Sequence, residues 1–228
     1  MVNTVFLIRH GESQSNAGKA TTGPENVEIT QRGQEQARAI AEFLKSYPID
    51  LIVTSPYRRA KQTAELTTSI PLFHTVEQVE WKVQEFTYLS SMHQEQSTVE
   101  DRRPLVDAYW EQCQPSYVES SGSESFAQFI ERVQSFILRL QTSPYETIAV
   151  FSHEQFINAV LWLIKDGPIK MSEQAMRDFK DFLKENTLPN GIIVQLKVHH
   201  NQARWSYEKI MGHLEQPSGD LIATPSCM

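Results

Sequence analysis

The chain contains 228 residues, a length that suits one α/β domain over residues 1–228 better than two ordinary domains. Its formal net charge of −7, with only 21 lysines and arginines, argues against nucleic acid as a partner, because polyanions bind strongly basic surfaces. Two cysteines without a CxxC pair, no export signal and no apolar stretch near the ~18 residues of a membrane span predict a cytoplasmic protein without a membrane partner.

The first predicted element is a short buried strand over residues 5–8, a continuous run of apolar residues that favour β-structure. Gly11 ends this pattern and leaves Arg9 and His10 at the carboxyl end of the strand. Ligands of α/β proteins bind outside the carboxyl ends of their strands, so these two residues are candidate site residues. The polar stretch 12–29 that follows is predicted to be a long loop, which is often functional in a compact domain.

A helix, a strand and a second helix are predicted next. Apolar residues at helical spacing follow Thr30, a plausible N-cap, and the pattern stops before Pro48. Residues 50–54 form a second buried strand, and Pro56 is expected near the first position of the following helix. Arg58 and Arg59 then lie in the first turn of that helix, again just beyond the carboxyl end of a strand.

The middle of the chain is predicted to be less regular. Residues 71–79 suggest a third strand, and a short helix is expected at residues 105–110, followed by a loop over 114–122. The segment 80–122 as a whole is predicted to be an insertion that covers the substrate. It contains Glu85, a candidate acid, for which Glu77 and Glu80 are competitors.

The last third of the chain alternates between helices and strands again. A strand over residues 147–151 ends at Ser152 and His153, which repeats the position of His10 at a strand end. Helices are predicted over 126–140, 156–164 and 172–184, strands over 191–198 and 203–210 with a turn at 200–201, and a loose tail over 213–228.

Three strand ends are therefore expected to meet at one edge of the sheet, with Glu85 in a loop beside them. They carry Arg9 with His10, Arg59 with its neighbour Arg58, and His153. Guanidinium groups match phosphate oxygens, and imidazoles can act on either side of a phosphorus atom. Nothing in the sequence gives the remaining histidines a common site, so this set predicts phosphoryl transfer without a metal.

The motifs around these residues resemble those of the histidine phosphatase superfamily, which includes cofactor-dependent phosphoglycerate mutases. Arg9-His10-Gly11-Glu12-Ser13 followed by Asn16 is similar to the family signature, and the likeness extends in order from residue 2 to about residue 198. The other matching segments are Ile29 to Ala37 with Gly23 before it, Thr54 to Ala64, Gly122 to Ser125 with Arg132, and Phe151 to His153.

The resemblance implies a three-layer α/β sandwich, with a mostly parallel central sheet and helices on both faces. It also implies that His10 attacks phosphorus and forms a phosphohistidine, while Glu85 protonates the leaving oxygen. The implied phosphate ligands are Arg9, Asn16, Arg59 and His153, and the implied substrate contacts are Gly23 and Tyr88. The expected partner is a small phosphorylated substrate, no cofactor is expected, and the oligomeric state stays open.

Two departures from the family pattern bear on function. Glu154 follows His153 where the family usually has glycine, which adds a carboxylate near an anion site and could displace His153 or narrow the substrate range. The segment around Glu85 lacks the ERHYG sequence of the mutases, and the chain lacks their longer insertion. We therefore expect a phosphatase, with a mutase or a catalytically impaired binder of phosphorylated ligands as alternatives. Arg58, Arg102 and Arg103 are interpreted as solvated charges or as contacts to the rest of the substrate.

Overall fold

The structure is a computed structural model that describes residues 4–89, 95–167, 169–199 and 204–210. In chain order its elements are β1 (Thr4–Arg9), β2 (Thr21–Thr22), α1 (Gln31–Leu44), β3 (Leu51–Thr54), α2 (Arg58–Thr68), a 3-10 helix (Pro71–Phe73), β4 (Glu77–Glu80), β5 (Glu95–Ser97), α3 (Val99–Gln112), α4 (Phe126–Gln141), β6 (Thr147–Ser152), α5 (Glu154–Asp166), α6 (Glu173–Glu185), β7 (Ile193–His199) and β8 (Arg204–Ile210).

The central sheet has the strand order β4-β3-β6-β1-β7-β8 within the described residues. The first four of these strands are parallel, because β3 pairs in parallel with β4 and β6, and β6 pairs in parallel with β1. Strands β7 and β8 close one side as an antiparallel pair, with β7 antiparallel to β1. The prediction of a mostly parallel sheet is therefore confirmed.

Helices cover both faces of the sheet, and alternation along β1 explains the division. Val5 and Leu7 belong to the apolar cluster that includes the buried faces of α4, α5 and α6. Phe6 and Ile8 belong to the second cluster, with buried residues of α1 and α2. Successive side chains of a strand point to opposite faces, so a wholly apolar strand requires cover on both sides. The three-layer prediction is confirmed by this packing.

Two predicted elements differ from the structure near the site. The expected strand over 71–79 is a 3-10 helix at its start and a strand only at Glu77–Glu80. Pro71 explains this, because proline lacks the N–H that a strand ladder needs and its fixed φ suits the first turn of a helix. The helix expected from Pro56 begins two residues later, at Arg58, with Tyr57 as the N-cap.

The helix expected at 105–110 is the much longer α3. It begins after Thr98, whose side chain accepts a hydrogen bond from the N–H of Asp101 while the Asp101 carboxylate accepts one from the N–H of Thr98. This capping box starts a helix that buries only Tyr109 and Trp110 as its apolar side chains, so the sequence carries little helical periodicity there.

Strand β5, just before α3, pairs with β2 from the loop after β1. The small two-stranded sheet therefore joins the predicted insertion 80–122 to the predicted loop 12–29, although neither strand was expected from the sequence. The covering role of residues 80–122 stays a prediction, as does the single domain. The predicted turn at 200–201 and the predicted tail 213–228 lie outside the described residues.

The backbone of the loop after β1 packs closely against the first turn of α1 at Gly11 and Gly33. A Cβ on Gly11 would collide with the carbonyl of Gly33, and a Cβ on Gly33 would collide with the carbonyl of Glu12. The contact is further held by Thr30, whose N–H donates to the carbonyl of Glu12 at 2.8 Å. Only glycine allows this approach of two backbones, which sets the position of the residues that follow Arg9 and His10.

We predict that Gly33→Ala destabilises the protein by about 1–3 kcal/mol, because the added methyl group overpacks the contact with Glu12. The sign is informative, since alanine normally stabilises a helix position by about 1 kcal/mol relative to glycine. Urea unfolding measures the free energy, and Gln34→Ala at the exposed neighbouring position is the matched control, expected within about 0.5 kcal/mol of wild type. A Gly33→Ala protein as stable as wild type would contradict the close contact.

Candidate active site

A cavity of about 110 Å³ lies at the carboxyl edge of the parallel strands. It is smaller than the ~300–1,000 Å³ that is typical of pockets for drug-sized ligands, so its size suits a small charged group. Five of the residues predicted for the site line it, namely Arg9, His10, Asn16, Arg59 and Glu85. The remaining lining residues include Ser13, Thr21 and Pro24 from the loop after β1, and Arg102 from α3.

Strand register brings the two histidines together. In the parallel pair of β1 and β6, Arg9 lies opposite Ser152, so the next residues, His10 and His153, leave the sheet side by side. Their ring centroids are 5.1 Å apart. Strand β3 lies on the other side of β6, and α2, which follows it, brings Arg59 to the same edge. The topology therefore assembles residues that are up to 144 positions apart in sequence.

His10 has a defined tautomer. Its Nδ1 lies 2.7 Å from the carbonyl oxygen of Gly11, an acceptor, so Nδ1 carries the proton. Nε2 lies 3.0 Å from Nε of Arg59, which can only donate, so Nε2 presents its lone pair. Burial, followed by the charges of Arg59 and Arg9, holds the pKa of His10 well below its usual value of 6.5. The ring is therefore neutral, and its unprotonated nitrogen accepts the hydrogen bond of Arg59.

Two arginines supply positive charge beside this nitrogen. Arg59 is buried, its Nη1 donates to the carbonyl of Pro24 at 2.5 Å, and burial lowers its pKa to about 10, so it stays protonated at neutral pH. Arg9 donates through Nη1 to the carbonyl of Leu188 and pairs with Glu154 at 2.9 Å. The Nε of Arg9 is buried and has no hydrogen-bond partner within the described part of the chain.

His153 is fully buried and has one free nitrogen on its ring. Its Nε2 lies 2.7 Å from Oγ of Ser55, whereas its Nδ1 has no partner among the residues that the structure describes. Burial, followed by the charge of Arg59, lowers the pKa of His153 well below 6.5. His153 is therefore neutral as well. Its side chain contacts Ser55, and the carboxylate of the next residue, Glu154, pairs with Arg9.

Glu85 is a half-buried residue at the same cavity. Its Oε1 accepts hydrogen bonds from the N–H of Phe86 at 3.2 Å and from the N–H of Gln155, at the start of α5, at 3.0 Å. Burial raises the pKa of Glu85, and the charge of Glu154 raises it further, against the opposing effects of Arg59 and Arg9. A carboxyl group with a raised pKa keeps its proton at a pH at which an ordinary carboxyl group has lost it, so it can act as a general acid.

The competing acids lie elsewhere. Glu80 pairs with Lys61 at 2.7 Å on the exposed side of α2, and Glu77 accepts a hydrogen bond from the hydroxyl of Tyr145 at 2.5 Å. Neither lines the cavity. Glu85 is therefore the one of the three acids that shares the cavity with His10.

The loop that carries Glu85 is anchored from α4. Arg132 donates to the carbonyls of Lys82 and Gln84, at 3.1 and 2.9 Å, and forms a two-pronged ion pair with Glu124. Glu124 in turn accepts a hydrogen bond from the N–H of Thr87 at 3.2 Å. The matching segment Gly122 to Ser125 and Arg132 thus hold the chain on both sides of Glu85.

Three predicted residues are placed less directly. Asn16 lines the cavity, but its Oδ1 is occupied by the hydroxyl of Ser13 at 2.8 Å and by the amide of Asn190 at 3.1 Å. Gly23 has φ +113° and precedes the lining residue Pro24 without lining the cavity itself. Tyr88 is buried in the aromatic cluster with Phe86, Tyr109 and Trp110, away from the cavity lining. The substrate contacts predicted for Gly23 and Tyr88 stay predictions.

Two residues that contact the site, Thr63 and Asn190, are not predicted by the sequence patterns. Thr63 accepts a hydrogen bond from the N–H of Gly11 at 3.1 Å and donates to the carbonyl of Arg59 at 2.7 Å, which joins the chain after β1 to helix α2. Asn190 donates to the carbonyl of His10 at 3.2 Å. Thr63 lies inside the matching segment Thr54 to Ala64, whereas no local pattern marks Asn190. Arg58, by contrast, is exposed, pairs with Glu28 at 2.5 Å and does not line the cavity.

Within the described ranges, no three His, Cys, Asp or Glu side chains are grouped so that they could hold a metal ion. None of the helices in the same ranges has the length and apolar character that crossing a membrane requires.

Comparison with known proteins identifies a family whose model matches this chain. The family model for the histidine phosphatase superfamily (branch 1) matches residues 5–180. The chain is 26% identical over 167 residues to the uncharacterized phosphatase PhoE of Bacillus subtilis, which covers 73% of this chain and 79% of PhoE. It is 30% identical over 185 residues to the adenosylcobalamin/alpha-ribazole phosphatase of Escherichia coli, covering 77% of this chain and 84% of that protein.

Solved structures share the fold. The alpha-ribazole phosphatase of Shigella flexneri superposes with a TM-score of 0.68 at 22% sequence identity, over 90% of this chain and 94% of that one. At this identity the likeness concerns the arrangement of the sheet and helices.

We predict that His10 stays a neutral imidazole with its proton on Nδ1 as the pH falls from about 7.5 through 6.5, the usual pKa of histidine. The depressed pKa moves protonation to lower pH, so the ring nitrogens should keep the shift pattern of this tautomer throughout that range. Long-range 1H–15N NMR of the labelled protein measures this, with the His10→Gln spectrum for assignment. A His10 ring that titrates near 6.5, like a histidine in a short peptide, would contradict the burial and the two arginine contacts.

Proposed function

The chain belongs to the histidine phosphatase superfamily (branch 1), and on that premise we propose that it hydrolyses a small phosphomonoester without a metal, through a phosphohistidine intermediate on His10. One observation carries the proposal. The Nε2 lone pair of a neutral His10 lies 3.0 Å from Nε of Arg59, in a cavity that also holds Glu85 with a raised pKa. Nucleophile, cationic partner and acid are thereby present together.

In the first half of the proposed reaction, Arg59 turns its Nε–H from Nε2 of His10 to a phosphoryl oxygen, and the lone pair freed on Nε2 forms a bond to phosphorus. The ester P–O bond breaks, and its electron pair leaves on the ester oxygen, which takes the proton of Glu85 and departs as an alcohol. The hydrogen bond from Nδ1 to Gly11 supports this step, because it stabilises the positive charge that the ring acquires.

In the second half, water attacks the phosphorus of the phosphohistidine. Glu85, now a carboxylate, takes the proton of the attacking water, and the P–N bond breaks so that its electron pair returns to Nε2. Orthophosphate leaves, and both residues are back in their starting forms. The one carboxyl group therefore serves as acid in the first half and as base in the second.

The proposed task of the arginines is to stabilise charge on the transferring phosphoryl oxygens. Arg9 and Arg59 carry that charge without a metal. His153 can add a hydrogen bond from Nδ1 in the neutral tautomer in which the Ser55 hydroxyl donates to Nε2, and Asn16 lies at the cavity wall. Burial strengthens these interactions, because an environment with little water screens charge weakly. The roles of all four residues are part of the proposal.

The alternatives are a mutase and a catalytically impaired binder. Both sequence relatives described above are phosphatases, which supports hydrolysis over transfer. The impaired binder was suggested by Glu154, but the contacts of His153 with Ser55 and of Glu154 with Arg9 are compatible with a working site. Incubation with 3-phosphoglycerate and a bisphosphoglycerate primer separates the activities, since we expect orthophosphate and no isomerised product.

The identity of the substrate is proposed only as a class. The small volume of the cavity and its two arginines support a phosphomonoester of a small molecule. The proposals of a cytoplasmic location and of no nucleic-acid partner are supported by the composition alone. A phosphate-release screen over sugar, nucleotide, glycerate and aryl phosphates is the experiment that narrows the substrate.

We predict that His10→Ala lowers kcat/KM for 4-nitrophenyl phosphate by more than about 1,000-fold, because the nucleophile is lost. EDTA should leave the wild-type rate unchanged. Rapid quenching in alkali after mixing with a 32P-labelled substrate should trap label on wild type and none on His10→Ala. Equal hydrolysis by the two proteins would exclude the mechanism.

We predict a large difference between two adjacent arginines of α2. Arg59→Ala removes the buried cation beside Nε2 of His10 and should lower kcat by about 100- to 1,000-fold. Arg58→Ala, the matched control, removes an exposed charge that pairs with Glu28 and should change kcat by less than about twofold. Equal losses in both variants would contradict the placement of the catalytic arginine.

We predict that Glu85→Gln discriminates between leaving groups. Glutamine keeps a carbonyl oxygen for the N–H groups of Phe86 and Gln155 but has no acidic proton to transfer. The value of kcat/KM reports only the steps up to the phosphohistidine, so it is independent of the second role of Glu85 as a base. For an alkyl phosphate kcat/KM should fall by about 100- to 10,000-fold, whereas for 4-nitrophenyl phosphate, whose leaving group is stable as an anion, it should fall by about tenfold or less. Equal losses for the two esters would show that Glu85 is not the acid.

A further inference from the structure

Glu154 forms a contact that the mechanism above does not use. It is the first residue of α5, immediately after His153, and its Oε2 lies 2.9 Å from Nη1 of Arg9. Its Oε1 accepts a hydrogen bond from the N–H of Leu188 at 3.0 Å. Only 28% of its side chain is exposed, so the carboxylate is partly shielded from water. Glu154 therefore ties β1, α5 and the segment before β7 together at the edge of the cavity.

The two ends of the Arg9 guanidinium differ in their contacts, because Nη1 has hydrogen-bond partners in the protein and Nε has none among the described residues. Nη1 is taken by protein acceptors, the carboxylate of Glu154 and the carbonyl of Leu188. Nε is buried without a partner in the described ranges, while Arg9 lines the cavity. A guanidinium binds phosphate best through two adjacent N–H groups of its planar fork. The anchored Nη1 thus leaves the Nε side of the fork for a phosphate.

The same carboxylate acts against anions in the cavity. Arg9 and Arg59 attract a phosphate dianion, whereas a negative charge 2.9 Å from Arg9 offsets part of that attraction. Both partners are mostly shielded, with 12% of the Arg9 side chain exposed, so salt screens this effect only partly. Glu154 should therefore weaken the binding of the anionic product.

We propose that Glu154 is a positioning residue that holds Arg9 with its Nε side toward the phosphate, and that its charge limits the affinity for orthophosphate so that the product is released. The inference rests on the proposed function and adds to it, since it concerns a residue that differs from the usual glycine of the family. It assigns no chemical step to Glu154.

The charges around Glu85 give the proposal a second test, in the pH dependence of kcat/KM. The charged groups that act on it are Arg59 from α2, Arg9 from the end of β1 and Glu154 from α5, and the neutral phenol of Tyr88 also faces it. Among the charges, only Glu154 raises the pKa of Glu85. Removing the Glu154 charge should therefore lower the pH at which Glu85 loses its proton, and the alkaline limb of the kcat/KM profile should move to lower pH.

The test compares Glu154→Gln with Glu154→Asp. Glutamine keeps an acceptor for the N–H of Leu188 and removes the charge, while the Leu188 carbonyl still tethers Arg9. We expect orthophosphate, titrated calorimetrically, to bind Glu154→Gln about 3- to 10-fold more tightly than wild type. Glu154→Asp keeps the charge and should bind within about twofold of wild type, and only Glu154→Gln should shift the alkaline limb.

Phosphate affinity in Glu154→Gln that is equal to or weaker than in wild type, with an unchanged urea midpoint, would overturn the proposal. If the glutamine variant does not fold, Glu154→Gly is the second neutral variant. Glycine removes the contacts to Arg9 and Leu188 together with the charge, so the expected result is the shift of the alkaline limb to lower pH, and an unshifted limb would overturn the proposal. Calorimetry requires no turnover, so the two proposals fail separately. A wild-type protein that binds orthophosphate but hydrolyses no ester in the screen refutes the proposed function, while the comparison of affinities still decides the role of Glu154.

Discussion

The hydrogen bond between Nδ1 of His10 and the carbonyl oxygen of Gly11 determines how this site can work. It places the ring proton on the nitrogen that faces the protein and leaves a lone pair on Nε2. The donor at Arg59 Nε is compatible only with that tautomer. Burial keeps the ring neutral, so Nε2 carries a lone pair, which accepts the hydrogen bond of Arg59 in this structure. The register of the sheet places His10 beside His153, and helix α2 places Arg59 beside His10.

The site also concentrates charge that a protein interior ordinarily avoids. Two arginines lie beside two buried imidazoles, and an isolated buried cation is costly unless it has acceptors. Arg59 has the carbonyl of Pro24 and the ring of His10, and Arg9 has Leu188 and Glu154. Among the described residues, these contacts leave the buried Nε of Arg9 without a partner at a small cavity. In the proposed function, this donor binds an oxygen of the transferring phosphoryl group.

The sequence predicted correctly those helices and strands in which buried positions recur at regular intervals along the chain. The apolar runs of β1 and β6 and the helical stripe of α4 are buried on regular faces, so their periodicity is visible in the chain. The pattern failed at Pro71, where a 3-10 turn replaces the start of a strand, and at α3, which buries only two apolar side chains. There, single-residue backbone preferences and a capping box decide the structure, and neither produces periodicity.

For the site, the sequence by itself determined the chemical types and their positions at strand ends, namely Arg9, His10, Arg59 and His153, because the motifs that carry them are local. Only the tertiary structure decided the tautomer of His10, the raised pKa of Glu85 and the contact of Glu154 with Arg9. These properties depend on burial and on neighbours far apart in the chain. A local pattern contains neither distance nor exposure, so it names the groups without their protonation states.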